Sequence, residues 1–276
     1  MTKTTIEWCD EVWNPVTGCQ KVSAGCKNCY AERIASRFWG ARKFTDMMIH
    51  PERLDDPLHW KKPRRVFVNS MSDLFHPAVP DEFIDRVGQT ISRCKVPHTF
   101  IVLTKRSGRM REYFTDRGNF AKNVFLGVSV EDNNQLWRVV DLLQTPAAVR
   151  FVSVEPMLEA IDLREPLSGY PVQTSSGMTI SREMALDAGE PSWEGMTWGD
   201  DEWEPTMPAL DWVICGCESG PGARPFEMDW ARDLRDQCVS ANVPFFFKQG
   251  RVNGDIVKMP ELDGQTWAQY PEIRHA

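Results

Sequence analysis

The sequence contains no long hydrophobic run, and no apolar stretch approaches the roughly 20 residues that a membrane-spanning helix needs. Its beginning also lacks the basic segment and apolar core of a secretory signal. We therefore expect a soluble cytoplasmic protein with no membrane partner. Histidine is scarce, and none of the five has metal-binding spacing: His50, His59, His76, His98 and His275.

A positive excess is also missing, because the 276 residues carry a net charge of −7. Non-specific binding of duplex DNA needs a basic surface, so this charge argues against it. Basic residues do cluster locally around Lys61 to Arg65 and around Lys105 to Arg111. Such clusters are more often solvated loops or helix faces than binding sites. A content of 42% hydrophobic and 26% charged residues is typical of a globular protein with a sizeable core.

Eight cysteines without a secretory signal do not indicate a disulfide scaffold. Cys19, Cys26 and Cys29 form a Cys-x6-Cys-x2-Cys cluster directly before a helical pattern. Three thiolates leave one coordination position open, which favours an iron–sulfur cluster over a closed structural zinc site. Cys9 could complete a four-cysteine zinc site, but only Cys26 and Cys29 have the tight spacing of a zinc knuckle. The remaining cysteines are predicted to be packing residues: Cys94, Cys215, Cys217 and Cys238.

Short apolar runs alternate with helical patterns, which is typical of βα units and a mostly parallel sheet. Strands are predicted at 12–17, 65–69, 99–104, 124–130, 149–154, 211–216 and 244–248. Helices are predicted at 30–39, 81–91, 131–144 and 228–239, the second with an acidic cap. Six or seven such units predict an α/β fold, a complete or partial (β/α) barrel, and we favour the partial one. A doubly wound sheet is the alternative.

We expect one domain, 1–276, interrupted by an irregular insertion at 167–209 that is rich in Gly, Ser, Pro and Trp. A long insertion between barrel strands is usually a lid or a disordered loop. Several large aromatic residues favour the lid. Trp193, Trp198 and Trp203 are candidates for stacking on a nucleobase, and packing on the barrel rim is an equally good account of them.

Polar residues follow the predicted strands, at the end where a barrel carries its active site. They include Asn69, Ser70, Asp73, Lys105, Arg106, Lys248 and the two pairs Ser129/Glu131 and Ser153/Glu155. Within each pair the spacing of two puts a hydroxyl and a carboxylate on the same side of the strand. Both pairs could grip a ribose or an amino group. Alternatively, each Ser caps the next helix and each Glu lies in its first turn.

These features resemble the radical S-adenosyl-L-methionine (SAM) superfamily, and more closely its phage and prophage family with an N-terminal three-cysteine motif. Six motifs carry the resemblance: Trp13-Asn-Pro-Val-Thr-Gly-Cys19, Cys26-Lys-Asn-Cys-Tyr-Ala31, Phe67-Val-Asn-Ser-Met-Ser-Asp73, Gly127-Val-Ser-Val-Glu131, Cys217-Glu-Ser-Gly-Pro-Gly-Ala-Arg-Pro225 and Phe246-Phe-Lys-Gln249. The first cysteine gap has three residues more than the usual superfamily spacing.

The resemblance implies that Cys19, Cys26 and Cys29 bind a [4Fe–4S] cluster whose open iron chelates SAM. An electron from an external donor then yields a 5′-deoxyadenosyl radical that abstracts hydrogen from the substrate. It also implies SAM contacts: Asn69, Ser70 and Asp73 to the methionyl part, Ser129 and Glu131 to the ribose, and Ser153 and Glu155 to the adenosine or substrate.

For substrate, the resemblance implies a nucleobase in DNA or a nucleotide, inside a phage-infected cell. The expected reaction is isomerisation or another modification of a base side chain in DNA hypermodification, which protects phage DNA from host restriction. The base would be flipped out or single-stranded. Two alternatives stay open: a thymine-lesion lyase similar to spore photoproduct lyase, and a non-catalytic, zinc-stabilised nucleic-acid-binding module.

Overall fold

The computed structural model describes residues 4–118, 120–168 and 209–272. An eight-stranded sheet curls into a half-barrel in a mixed α/β arrangement, with strand order β1-β4-β5-β6-β7-β8-β9-β10. The first seven strands of this order run parallel, and β10 pairs antiparallel with β9. A separate two-stranded sheet joins β2 to β3.

The strands of the large sheet are β1 (Glu11–Trp13), β4 (Arg65–Val68), β5 (Thr99–Thr104), β6 (Val124–Ser129), β7 (Val149–Val154), β8 (Trp212–Gly216), β9 (Phe245–Val252) and β10 (Asp255–Lys258). The small sheet contains β2 (Val16–Thr17) and β3 (Met48–Ile49). The helices are α1 (Tyr30–Phe38), α2 (Asp81–Arg93), α3 (Ser107–Arg117), α4 (Trp137–Leu143), α5 (Arg164–Ser168) and α6 (Met228–Ser240).

The two faces of the sheet build two separate hydrophobic clusters because side chains alternate along each strand. In β5, Phe100 and Val102 join the large cluster that contains the helix residues. Ile101, between them, belongs to the smaller cluster together with Phe125 of β6 and Phe246 of β9. The continuous apolar runs in the sequence follow from this burial of both faces.

Aromatic rings fill the concave face of the half-barrel. Trp212 lies 5.5 Å from Phe151 between ring centroids and 6.5 Å from Trp8. Gly127 has no side chain there, and a Cβ at this position would come within 2.4 Å of the Phe151 ring. The glycine therefore lets the ring lie against β6 and close the floor beneath the strand ends.

The sequence predicted the parallel strands well and two of them, β5 and β7, with the same bounds. The strand predicted at 65–69 ends one residue earlier, since Asn69 has a φ of 62°. The strand predicted at 244–248 is longer, and the hairpin strand β10 was missed. The two strands with correctly predicted bounds, β5 and β7, lie inside the sheet, where the burial of the side chains and the apolar pattern agree.

The prediction of one first strand at 12–17 is wrong: the segment divides into β1 of the large sheet and β2 of the small one. Pro15 lies at the break and has no backbone N–H to donate. The N–H of Val16 instead donates to the side-chain Oδ1 of Asn69, at 3.1 Å. The chain therefore leaves the large sheet and carries the segment with Cys19, Cys26 and Cys29, here called the cysteine loop, over the strand ends.

Two helix predictions also need correction, and one helix was not predicted. The helix predicted at 131–144 begins only at Trp137, after a 3₁₀ turn at Asn133–Gln135. The helix predicted at 81–91 starts after Pro80, so Asp81 lies in its first turn and is not its cap. Helix α3 was missed, because it lacks a clear apolar stripe in sequence. Within the described residues, no helix has the length and apolarity to cross a membrane.

Candidate functional site

A cavity of about 630 Å³ opens at the carboxyl ends of the parallel strands. Residues from the loop after β2, from α1 and from the ends of β4 to β9 line it. The lining includes the three clustered thiols and most of the polar residues predicted at the strand ends: Cys19, Cys26, Cys29, Asn69, Ser70, Asp73, Ser129, Ser153 and Glu155. Glu131 belongs to the same region but is completely buried beneath the cavity wall.

The cysteine loop is held to the barrel by backbone hydrogen bonds. Gly18 has a φ of +94°, which favours glycine, and its N–H donates to the carbonyl of Met71 at 3.0 Å. The N–H of Cys19 donates to the carbonyl of Phe44 at 2.9 Å. Cys26 ends a 3₁₀ turn and Cys29 is the N-cap residue of α1, so the loop runs directly into the helix.

Arg106 joins Cys19 to a buried carboxylate. Its Nη1 lies 3.6 Å from the Sγ of Cys19 and 2.9 Å from Oδ2 of Asp73. Asp73 also accepts hydrogen bonds from the Thr104 hydroxyl at 2.7 Å and the Lys105 backbone N–H at 3.1 Å. Burial and the nearby Asp73 raise the pKa of the Cys19 thiol, and the guanidinium opposes this rise. Burial also raises the pKa of Cys29.

Glu131 is the centre of a buried ionic network. One oxygen accepts a hydrogen bond from Nη1 of Arg138 at 3.0 Å, and the other is paired with Lys105. The Ser23 hydroxyl of the cysteine loop donates to Glu131 at 3.1 Å. Burial by itself would raise the pKa of Glu131, but the two cations outweigh it and lower the pKa below its ordinary value. The carboxylate is therefore ionised and ties the cysteine loop to β6.

Asn69 and Ser70 connect the first two strands of the sheet to the cavity. Asn69 is buried, and its Oδ1 accepts from Val16, whereas its Nδ2 has no hydrogen-bond partner among the described residues. The Ser70 hydroxyl contacts the side chain of Asn14 at 3.2 Å. The hydroxyl of Tyr30, from α1, donates to the Ser70 carbonyl at 2.6 Å. The start of α1 is thereby fixed to the end of β4.

On the opposite wall, Glu155 lies between a hydroxyl and a cation. The Ser153 hydroxyl donates to its Oε2 at 3.1 Å, and the Nζ of Lys248 lies 3.0 Å from Oε1. Burial tends to lower the pKa of Lys248, but the adjacent carboxylate outweighs it and the pKa is raised. Gly216 makes room for this pair, since a Cβ there would lie 2.6 Å from Oε1 of Glu155.

Glu218 holds the glycine-rich turn after β8 against the cysteine loop. It accepts from Asn28 at 2.9 Å and from Nη2 of Arg224 at 2.6 Å. Burial alone would raise its pKa, but these hydrogen bonds outweigh burial and lower the pKa to about 2. Arg33 of α1 donates to the Ser219 carbonyl of the same turn at 2.8 Å.

The basic cluster at 105–111 is not a solvated face, because each of its four cations is paired with a carboxylate. The pairs are Lys105–Glu131, Arg106–Asp73, Arg109–Asp81 and Arg111–Asp141. In the other cluster, Arg64 pairs with Glu11 and Arg65 with Asp10. Lys61 and Lys62 are exposed.

The donor set fits a group bound by thiolates. All three clustered cysteines are free and line one cavity, and a guanidinium lies beside one of them. Among the described residues, however, no three His, Cys, Asp or Glu side chains already stand at metal-binding distances. A group held by all three thiolates would have to bring them closer together. Cys9 is buried in the small apolar cluster of the concave face, where burial raises its pKa to about 12.

The structure brings together every predicted site residue, although Glu131 lies under the wall and not on it. The assigned SAM contacts remain predictions. The sequence predicted Lys105, Arg106 and Lys248 as polar residues at strand ends, and Lys105 and Arg106 do directly follow β5. It did not predict that these cations pair with Glu131, Asp73 and Glu155, or that Tyr30 contacts Ser70. The lid residues Trp193, Trp198 and Trp203 lie outside the described residues.

Fold and site together define a half-barrel of parallel strands with a thiol-lined cavity at their carboxyl ends. Residues 3–271 match the family model described as "Protein of unknown function (DUF5131)". Because the match covers nearly the whole chain, the protein belongs to this family. No curated protein and no solved structure matches it.

Proposed function

We propose that this protein is a radical SAM enzyme that modifies a nucleobase. Cys19, Cys26 and Cys29 would hold a [4Fe–4S] cluster with SAM beside it. The observation that carries the proposal is that these three thiols line the same cavity as the polar ends of the parallel strands. A volume of about 630 Å³ falls within the range of small-molecule and cofactor sites.

The cluster, when bound, supplies the electron that splits the SAM sulfonium and releases a 5′-deoxyadenosyl radical. The protein supplies position and an environment without water. The aromatic rings of Phe151, Trp212 and Trp8 are buried and contact one another on the concave face, where they would contribute to such an environment. Arg106, which is paired with Asp73, would donate a hydrogen bond to the thiolate of Cys19 and fix its position.

Asn69, Ser70 and Asp73 are the candidates for the methionyl part of SAM. The unpaired Nδ2 of Asn69 supports this role, since a buried donor without an acceptor costs about 1–3 kcal/mol. A carboxylate oxygen of SAM would supply the acceptor. Asp73 acts here mainly as an orienting group, because Thr104 and Arg106 already donate to it.

Ser129 is the candidate for the ribose, with Glu131 beneath it. Both oxygens of Glu131 are engaged by Lys105, Arg138 and Ser23, so its contribution to SAM binding would be to fix the loop. Ser153 and Glu155 are the candidates for the adenosine or the substrate. Their neighbour Lys248 adds a donor that can reach a nucleobase carbonyl oxygen.

The substrate class proposed is a nucleobase in phage DNA, and the reaction an isomerisation or related change of its side chain. Such hypermodification would protect the DNA from host restriction. A lyase that reverses a thymine lesion would use the same radical. Analysis of the products formed from undamaged DNA and from DNA with the lesion distinguishes the two reactions.

Anaerobic purification and reconstitution test the proposal. About four iron and four sulfide per chain are expected, followed by release of methionine and 5′-deoxyadenosine when SAM and dithionite are added. Cys26→Ala is the control and should yield neither product. A colourless protein with tightly bound zinc would support the binding-module alternative. A fully loaded, reducible cluster without SAM cleavage would reject the radical assignment.

A further inference from the structure

One face of helix α1 runs along the mouth of the cavity. It consists of Tyr30, Arg33, Ile34, Arg37 and Phe38, which follow the spacing of residues on a single helix face. All five line the cavity. We call these residues the α1 mouth face. It begins directly after Cys29 and leads outward from the cysteine loop.

This face is apolar and aromatic with arginines between, and it contains no carboxylate. Phe38 is 69% exposed and Ile34 is 42% exposed, which is unusual for large apolar side chains on a nine-residue helix. The one acidic residue of α1, Glu32, lies off this face and pairs with Lys21 at 2.9 Å. The guanidinium of Arg37 lies 5.2 Å from the centre of the Phe38 ring.

The cavity also differs in charge from the whole protein. Its lining holds seven cationic side chains and four carboxylates: Lys21, Arg33, Arg37, Lys105, Arg106, Lys248 and Lys258, against Glu7, Asp73, Glu155 and Glu218. Glu32 and Glu131, which lie outside the lining, neutralise Lys21 and Lys105. Among the residues that the structure describes, the lining cations without a carboxylate partner are Arg33 and Arg37, in a chain whose net charge is −7. A negatively charged ligand is therefore favoured at the mouth.

We propose that the α1 mouth face binds single-stranded nucleic acid flanking the nucleobase that enters the cavity. Phe38 would stack on a base, and Arg37 would contact a phosphate. This inference rests on the proposed function and specifies its substrate as a polynucleotide strand. A free nucleoside would fill the cavity and leave the mouth face unused.

The length of the α1 mouth face agrees with a short stretch of single-stranded nucleic acid. From Tyr30 to Phe38 the helix rises by about 12 Å, which matches roughly three nucleotides at about 3.4 Å each in a stacked strand. Along one line of the helix, aromatic and aliphatic side chains alternate with guanidinium groups, which suits a strand in which bases and phosphates alternate. An acidic protein that delivers electrons is the competing occupant of such a face.

Fluorescence anisotropy with a labelled oligothymidylate of about ten nucleotides tests the proposal. Phe38→Ala should weaken binding by about 5- to 150-fold, as expected for loss of one stacked base. Arg37→Ala should weaken binding and reduce the slope of log K against log salt by about 0.7, the value for one single-strand phosphate contact. Trp137→Ala and Arg93→Ala are the matched controls, because both change exposed side chains outside the cavity lining.

The proposal is overturned if the Phe38→Ala/Arg37→Ala double variant binds the oligonucleotide as tightly as the unaltered protein. If that variant also loses SAM cleavage with a flavodoxin-type reductant and keeps it with dithionite, the face belongs to the electron donor. Equal weakening by the control variants would show a general charge or surface effect and would overturn it too.

The binding assay needs neither cluster nor SAM, so its failure and the failure of the radical assignment are distinguishable. Oligonucleotide binding through the mouth face without SAM cleavage would keep this inference and remove the radical chemistry. SAM cleavage with no effect of the mouth-face variants on strand binding would do the reverse.

Discussion

Glu131 and Arg138 form an ion pair that is almost wholly inside the protein. The Nη1 of Arg138 lies 3.0 Å from Oε2 of Glu131, and the two side chains are 1% and 0% exposed. The same guanidinium nitrogen donates to the carbonyl of Ser129 at 2.8 Å. Because Ser23 and Lys105 bind the other carboxylate oxygen, this pair connects β6, α4 and the cysteine loop.

Replacing Glu131 by Gln should lower the free energy of unfolding by about 3–5 kcal/mol, because Arg138 would remain buried without its counter-charge. Urea denaturation of the metal-free protein measures the effect. Glu32→Gln is the matched control, since its pair with Lys21 is exposed and should contribute less than about 1 kcal/mol. A Glu131 variant no less stable than this control would contradict the anchoring role.

Replacing Gly25 by Ala should disturb the cysteine loop. A Cβ there would come within 2.3 Å of Cγ of Glu131, whose carboxylate is held by two cations and has little freedom to move. Overpacking of this kind costs about 1–3 kcal/mol. Thermal unfolding, together with iron content after reconstitution, measures it.

Gly108→Ala is the control for Gly25→Ala, because Gly108 lies in α3 and the nearest atom to a Cβ there is 3.7 Å away. Alanine should stabilise that helix by up to about 1 kcal/mol. If both glycine variants behaved alike, the close approach of the loop to Glu131 would not be a constraint in solution.

Each of Cys19→Ala, Cys26→Ala and Cys29→Ala should abolish iron binding, because two thiolates do not hold a cluster that needs at least three. Cys9→Ala should retain the iron, since Cys9 lies in the apolar cluster with Trp8 and Phe67. Iron and sulfide assays after identical reconstitution compare the four variants. Loss of metal from Cys9→Ala to the extent seen for Cys26→Ala would favour a four-cysteine zinc site.

Glu218 should make the protein sensitive to acid. Its pKa is lowered to about 2, so its ionised form stabilises the folded state above the unfolded pKa of about 4.3. That contribution should disappear as the pH falls from about 5 to about 2. The stability difference between the unaltered protein and Glu218→Gln should therefore shrink over this range. A constant difference would show that Asn28 and Arg224 do not stabilise the carboxylate specifically.

The parallel strands were predictable because burial on both faces leaves a continuous apolar run, which is a local property of the sequence. The break of the first strand was not predictable, although Pro15 marks its position. After the break, the backbone N–H of Val16 donates to the side chain of Asn69, which lies 53 positions farther along the chain. No periodicity within one segment reports such a contact.

The candidate site likewise has a part that the sequence predicted and a part that it did not. Strand-end positions indicated that Ser129, Ser153 and Asp73 would meet the cysteine loop, because parallel strands end at one edge of a sheet. The partners of these residues did not follow from the pattern. Glu131 fits the alternation equally well as a ribose ligand, a first-turn carboxylate or a buried anchor, and its contacts with Arg138 and Lys105 distinguish these roles.

The sequence by itself determined a parallel α/β protein with three clustered thiols at the polar end of its strands, since strand burial and cysteine spacing are local. Only the tertiary structure decided which charges pair and which remain available. In the folded protein, the cations at 105–111 pair with carboxylates that are distant in sequence, whereas the α1 mouth face stays exposed at the mouth of the cavity. The physical reason is that ion pairing and exposure depend on distances between segments far apart in the chain.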